Sequence, residues 1–352
     1  VRAPMADGGE GTLAAVAAAL DDRAQRRTAQ ATDPLMRPVD AEWLLLDDGH
    51  AAFIEMAAAS GLARLQPEER TPDAARAAST RGTGDLIRAA LDAGVQRITL
   101  GLGGSATTDG GTGLLAALGA RFLDAEGQEL PPGGAPLARL ARIDAAGLDS
   151  RLKGVELVIA SDVTNPLCGP MGAAATYAPQ KGADDAAVAE LDAALATYGD
   201  AIEAAAGRLV ADLPGAGAAG GTTAALLGFT DATVRPGVDV VAELVGLSEL
   251  VEAADLVITG EGRADEQTLS GKAAMGVARL ARTRNAPVIL LCGALGQGAA
   301  ALDASGVFAV VQPIGDRPMP LEESMAETER LLANAAERVA RMVGIGLELA
   351  RP

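Results

Sequence analysis

The chain has 352 residues, enough for one large or two ordinary domains. Hydrophobic residues make up 49% and aromatic ones only 2%, so Ala, Leu, Val and Gly must fill the interior, which favours helices lying close on a sheet. A formal net charge of −18 argues against nucleic acid or an anionic membrane as partner, and no run reaches the roughly 18 uninterrupted apolar residues of a membrane span.

In chain order, the Gly-rich turn Asp7-Gly8-Gly9-Glu10-Gly11 is followed by an Ala-rich helix over 12–20. Ala41–Leu46 and Ala51–Met56 flank the polar turn Asp47–His50 as a β-hairpin. Gly82–Leu91 reads as a helix, Arg97–Leu102 as a strand, and Leu114–Leu123 as a helix beyond the Gly103–Gly113 loop. Val155–Ala160 is a buried strand, Asp184–Ala206 a long helix, and Val238–Leu250 is helical. The last hundred residues alternate regularly: strand Leu256–Thr259, helix Lys272–Arg282, strand Pro287–Leu291, strand Val307–Gln312 and helix Leu321–Val343. Strands alternating with helices imply right-handed crossovers and a parallel sheet. The expected fold is therefore α/β with two α/β domains. Residues 1–30 plus 250–352 form a Rossmann- or flavodoxin-like domain, and 31–249 a second α/β domain inserted into it.

The inventory of reactive side chains is short. Cys168 and Cys292 give neither a disulfide framework nor a zinc spacing, which suits a reducing, cytoplasmic setting. The single histidine, His50, sits in a turn, so proton transfer falls to a carboxylate or to water. Only Lys153, Lys181 and Lys272 are lysines among 29 basic residues. In a chain that prefers arginine, Lys181 and Lys272, each beside a glycine, stand out as compact charges suited to phosphate oxygens.

Several glycine loops follow a strand or open a helix, where backbone N–H groups can approach an anion. The strongest is Gly103-Gly104-Ser105-Ala106-Thr107-Thr108-Asp109, in which Asp109 can cap the next helix or hold a metal, capping being the better reading. Gly215, Gly217 and Gly220 match G-x-G-x-x-G, but a very short apolar run precedes them, so a nicotinamide dehydrogenase is only the alternative. Neither a P-loop nor a protein-kinase catalytic loop is present. Ser161-Asp162-Val163-Thr164-Asn165 and Gly260-Glu261-Gly262-Arg263 each place acids and amides at the C-terminal end of an expected strand, where open α/β sheets bind ligands.

ADGGEGT at 6–12, FIEMAAASGL at 53–62, TRGTGDLI at 80–87 and GLGGSATTDGGTG at 101–113 resemble the type-1 glycerate kinases of bacteria. So do SDVTNPLCGP at 161–170, PQKGA at 179–183, PGAGAAGG at 214–221 and ITGEGRADEQTLSGK at 258–272. The resemblance covers essentially the whole chain, in the family's order. It implies transfer of the γ-phosphoryl of ATP to D-glycerate with Mg²⁺, giving 2-phosphoglycerate. The family pattern has a strand and a Ser/Lys-containing loop ahead of ADGGEGT, so this sequence is expected to be truncated or incomplete there. Asp162, Lys181 and Arg263 are then the expected catalytic residues. Gly103, Gly104, Ser105, Gly217, Gly220 and Lys272 are expected on the nucleotide, Asp7, Arg81 and Asn165 on glycerate, and Asp162 with Glu261 on the metal. A non-catalytic metabolite-binding protein on the same scaffold is the other alternative. A homo-oligomer is left open.

Overall fold

The computed structural model describes residues 1–270 and 273–349. Two compact units divide the chain, Pro4–Val241 and the smaller Ala242–Pro352 with Val1–Ala3.

The larger unit is built on a sheet ordered β1-β2-β3-β4-β7-β8. Its parallel part is β3 (Ala51–Glu55), β4 (Arg97–Gly101), β7 (Glu156–Ala160) and β8 (Thr233–Arg235). The first three are mostly apolar and buried along nearly their whole length, as strands covered on both faces must be. The antiparallel edge is β1 (Ala24–Thr32) against β2 (Pro38–Leu46), in register from Ala24 opposite Leu46 to Thr32 opposite Pro38. The expected hairpin around Asp47–His50 is present as β2 and β3. Helices Arg81–Asp92, Asp185–Ala206 and Ala218–Phe229 supply much of the cover, and Leu86, Ile87, Leu191, Leu195, Tyr198 and Leu226 share one core with Ile54, Leu100 and Ile159.

Three expectations change. Residues 4–30 belong with the larger unit and not with the C-terminal one, because β1 pairs along its whole length with β2. The helix expected over 114–123 stops early: Thr112–Ala117 is helical, Gly119 turns the chain at φ +104, and β5 (Arg121–Leu123) pairs with β6 (Arg142–Asp144). Burying Phe122 from a strand wins over local helix propensity.

In the smaller unit β9 (Val257–Ala264), β10 (Val288–Leu295) and β11 (Val310–Pro313) form a parallel sheet with β10 in the middle, and helix Ala273–Thr283 links the first two. The third change lies here. The closing helix is two, Leu321–Ala326 and Thr328–Leu349, and the Thr328 hydroxyl donates to the Ser324 and Met325 carbonyls at the break. Leu331, Ala335 and Val339 seal the sheet through Ile289, Leu291 and Ile314. No described helix is long and apolar enough to cross a membrane.

Candidate active site

In the larger unit the C-terminal ends of β4 and β7 open into a cleft of about 330 Å³, the edge at which parallel strands present ligands. Four sequence candidates meet on its wall: Asp7, Gly103, Asp162 and Asn165. Gly8, Gly9 and Tyr177 join them, as do Ala218 and Ala219, which lie between Gly217 and Gly220.

The wall is formed by two loops in direct backbone contact. Glu55, at the end of β3, accepts N–H bonds from Gly11 (3.0 Å) and Leu13 (2.8 Å) and so caps helix Thr12–Leu20 and fixes the turn before it. Burial raises the Glu55 pKa, the two amides oppose that, and nearby Glu10 adds to it. Gly8 sits at φ +87 and its carbonyl accepts the Gly103 N–H at 3.2 Å. A Cβ on Gly103 would lie 2.2 Å from Gly9 Cα, so only glycine permits this approach. The Gly103 amide is therefore spent on protein.

Asp162 stands just past β7. Its Oδ1 accepts the N–H of Gly237, which opens helix Gly237–Leu244, at 3.1 Å. The side chain reaches solvent through the cleft, yet the wall strips enough water from it to raise its pKa. The Gly237 bond pulls the other way, and the negative charges of Asp7 and Asp239 push further up. Asp7 itself accepts from Gly9 N–H at 3.1 Å. Asn165 is already engaged: its amide donates to the Met171 carbonyl (2.8 Å) and Thr176 (3.3 Å), and its carbonyl accepts from Tyr177 (2.7 Å). It braces the loop around the cleft.

Lys181 is not at the cleft surface. It is 2% exposed, beneath the Gly103–Gly113 loop, where Nζ donates to Ser105 Oγ (3.1 Å) and the Thr107 carbonyl (2.6 Å). Burial lowers its pKa to about 8 and the Asp109 carboxylate resists that fall. Asp109 is fully enclosed and accepts from Thr80 N–H and hydroxyl (both 2.8 Å), Gly113 N–H (3.1 Å) and Gly111 N–H (3.2 Å). Gly111 and Gly113 sit at the start of helix Thr112–Ala117 and Thr80 precedes helix Arg81–Asp92, so Asp109 ties two helix N-termini together as a cap does. Gly104 is exposed at the loop's tip with φ +72.

Within the larger unit, Arg81, Gly217 and Gly220 are not among the residues lining the cleft. Arg81 opens helix Arg81–Asp92 with its charge toward Asp85. A Cβ on Gly217 would meet the Pro166 carbonyl at 2.2 Å, and one on Gly220 the Thr107 carbonyl at 2.0 Å, so these open faces are filled by protein backbone. The G-x-G-x-x-G match thus serves loop packing, with no strand leading into it. Glu261 and Arg263 lie on β9 of the smaller unit. Glu261 accepts from the Thr268 hydroxyl at 2.6 Å and Arg263 approaches Asp265 at 3.3 Å. A cavity of about 620 Å³, mostly apolar, opens there beside Glu261, Cys292 and Leu332. Lys272 lies outside the described residues.

Sequence reasoning missed Glu55, Gly237 and Asp239. Glu55 had a visible signal, as a lone acid inside an otherwise apolar strand. Among the described residues no group of three or more His, Cys, Asp or Glu is placed to hold a metal ion.

Residues 1–344 match the sequence model of the glycerate kinase family. The chain is 46% identical over 337 residues to a glycerate kinase of Halalkalibacterium halodurans, covering 96% of this chain and 87% of that one. It is 43% identical over 350 residues to the glycerate 2-kinase of Escherichia coli K12, covering 99% and 90%. A crystal structure of an assigned glycerate kinase 2 from Salmonella typhimurium LT2 superimposes with TM-score 0.85 at 42% identity, covering 99% of this chain and 90% of that one. The chain belongs to the glycerate kinase family, a family of phosphotransferases.

Proposed function

We propose that this protein transfers the γ-phosphoryl group of ATP to the 2-hydroxyl of D-glycerate, forming 2-phosphoglycerate and ADP. The observation that carries this reading is Asp162. It is a carboxylate at the C-terminal end of a parallel strand, held by one backbone N–H, raised in pKa, and facing a cleft large enough for a three-carbon acid.

Phosphoryl transfer requires alignment and charge neutralisation more than covalent chemistry. The glycerate hydroxyl oxygen bonds to the γ-phosphorus, the bond to the β–γ bridging oxygen breaks, and ADP leaves with that electron pair. The hydroxyl proton passes to Asp162, whose raised pKa makes it a better base than an ordinary aspartate. Asp7 lines the same cleft and would be the carboxylate to hold Mg²⁺, since a cation on Asp162 would pull down the raised pKa that makes it a base. Mg²⁺, when bound, neutralises charge on the β- and γ-phosphates. Because the Gly103 amide is engaged by Gly8, the exposed Gly104 tip is the part of that loop offered to phosphate.

A coupled assay of ADP release with D-glycerate, ATP and Mg²⁺ tests this. Turnover that needs all three is expected. ATP hydrolysis indifferent to glycerate, or glycerate-dependent reduction of NAD, would overturn it.

A further inference from the structure

Lys181 is a buried cation of this region, and it faces inward. A fully enclosed lysine is costly unless its ammonium is hydrogen-bonded, and two of its three N–H bonds are spent on one loop, at Ser105 Oγ and the Thr107 carbonyl. The opposite side of that loop is tied to residues 60–62, through Ala106 N–H to the Ser60 carbonyl (2.9 Å) and Leu62 N–H to the Gly104 carbonyl (2.8 Å). Directly before these moorings in the chain, Gly103 meets Gly9 on the cleft wall and Gly104 lies against Glu10.

The lysine's own backbone is fixed. Lys181 N–H donates to the Ala178 carbonyl at 3.0 Å, and Gly182 follows at φ +100 with its open face against Arg70 (2.3 Å for a Cβ). No local donor stands in for the ammonium: the Thr107 and Thr108 hydroxyls are buried and make no hydrogen bond. The enclosed carboxylate of Asp109 balances the lysine's charge.

We propose that Lys181 is a positioning residue for phosphoryl transfer, fixing from beneath the Ser105–Thr107 segment that carries Gly103 on the cleft wall, without touching the transferred group. This differs from a lysine that binds phosphate, which must reach the ligand with its ammonium. The choice of lysine follows: a bulkier planar guanidinium does not fit a space that leaves 2% of the residue exposed.

The inference rests on the proposed reaction. Wild-type turnover is measured first, so that absence of glycerate-dependent ADP release counts against the reaction alone. Lys181→Met, Ser105→Ala and the double variant are then compared by kcat, KM for each substrate, and Tm. A loop displaced by about 1 Å costs about 10²-fold in rate, so Lys181→Met is expected to lose about that in kcat. Ser105→Ala is expected to lose about fivefold, the scale of one hydrogen bond, with Tm unchanged. The double variant should be no worse than Lys181→Met, because both changes cut the same link. Wild-type kcat in Lys181→Met, whatever its Tm, or losses that multiply in the double variant, would overturn the proposal. Should Lys181→Met fail to fold, Ser105→Ala decides: reduced kcat at unchanged Tm supports the role, and unchanged kcat refutes it.

Discussion

Replacing Gly103 by alanine tests whether the contact between the two glycine loops builds the cleft. The backbone at Gly103 lies outside the positive-φ region, so alanine meets no conformational penalty there and the whole effect is steric. The new methyl would start 2.2 Å from Gly9 Cα, 3.1 Å from Gly9 N and 3.3 Å from its carbonyl carbon. Ordinary carbon–carbon contact is about 3.5–4.0 Å, so the loops must separate by more than about 1 Å. Overpacking of this kind costs about 1–3 kcal/mol in stability. The functional cost should be larger in proportion, because the moved atoms are the cleft wall: about 10²-fold in kcat/KM. Gly154→Ala, where nothing lies within 4 Å of the added carbon, is the control and should be silent. The assay is glycerate-dependent ADP release, read beside Tm. Full activity in Gly103→Ala would show that the close approach does not shape the site.

Further outcomes follow from the same geometry. Asp162→Asn preserves shape and removes the base, and kcat should fall by about 10²-fold or more while Tm holds or rises, since the cost of charging a partly desolvated acid is gone. Asp239 is exposed and outside the cleft wall but raises the Asp162 pKa. Asp239→Asn should therefore move the acid limb of the kcat/KM profile to lower pH without changing the plateau, and an unmoved limb would remove Asp162 as the titrating group. Lys181 has a folded pKa of about 8 against an ordinary 10.5, so between those values the unfolded chain holds the extra proton. This group's contribution to stability accordingly rises with pH over that window, and wild type minus Lys181→Met should show the rise in denaturant titrations at pH 8 and pH 10.

The sequence was most legible where one physical rule dominated. Aliphatic runs located β3, β4, β7 and β10, and the Asp47–His50 turn located the hairpin. β1 escaped notice because AQRRTAQAT is an edge strand with polar residues on both faces, the composition that keeps an edge soluble and hides its period. Placing residues 4–30 in the wrong unit followed directly from missing it. At the site, glycine loops and acids were visible, but their use was not. Whether a glycine makes room for a phosphate or for another backbone depends on the partner surface, and Gly217 and Gly220 face carbonyls of residues 166 and 107. Likewise the scarcity of lysine marked Lys181 as unusual, while only the fold shows that it points down into the loop and not out toward a ligand.

The most direct test of the account is the identity of the product. Purified protein is incubated with D-glycerate, ATP and Mg²⁺, and the phosphorylated acid is identified by the ³¹P–¹H coupling of its phosphorus. 2-Phosphoglycerate is expected to accumulate in step with ADP, and both about 10²-fold or more slowly with Asp162→Asn. Formation of 3-phosphoglycerate, or undiminished product from Asp162→Asn, would contradict it.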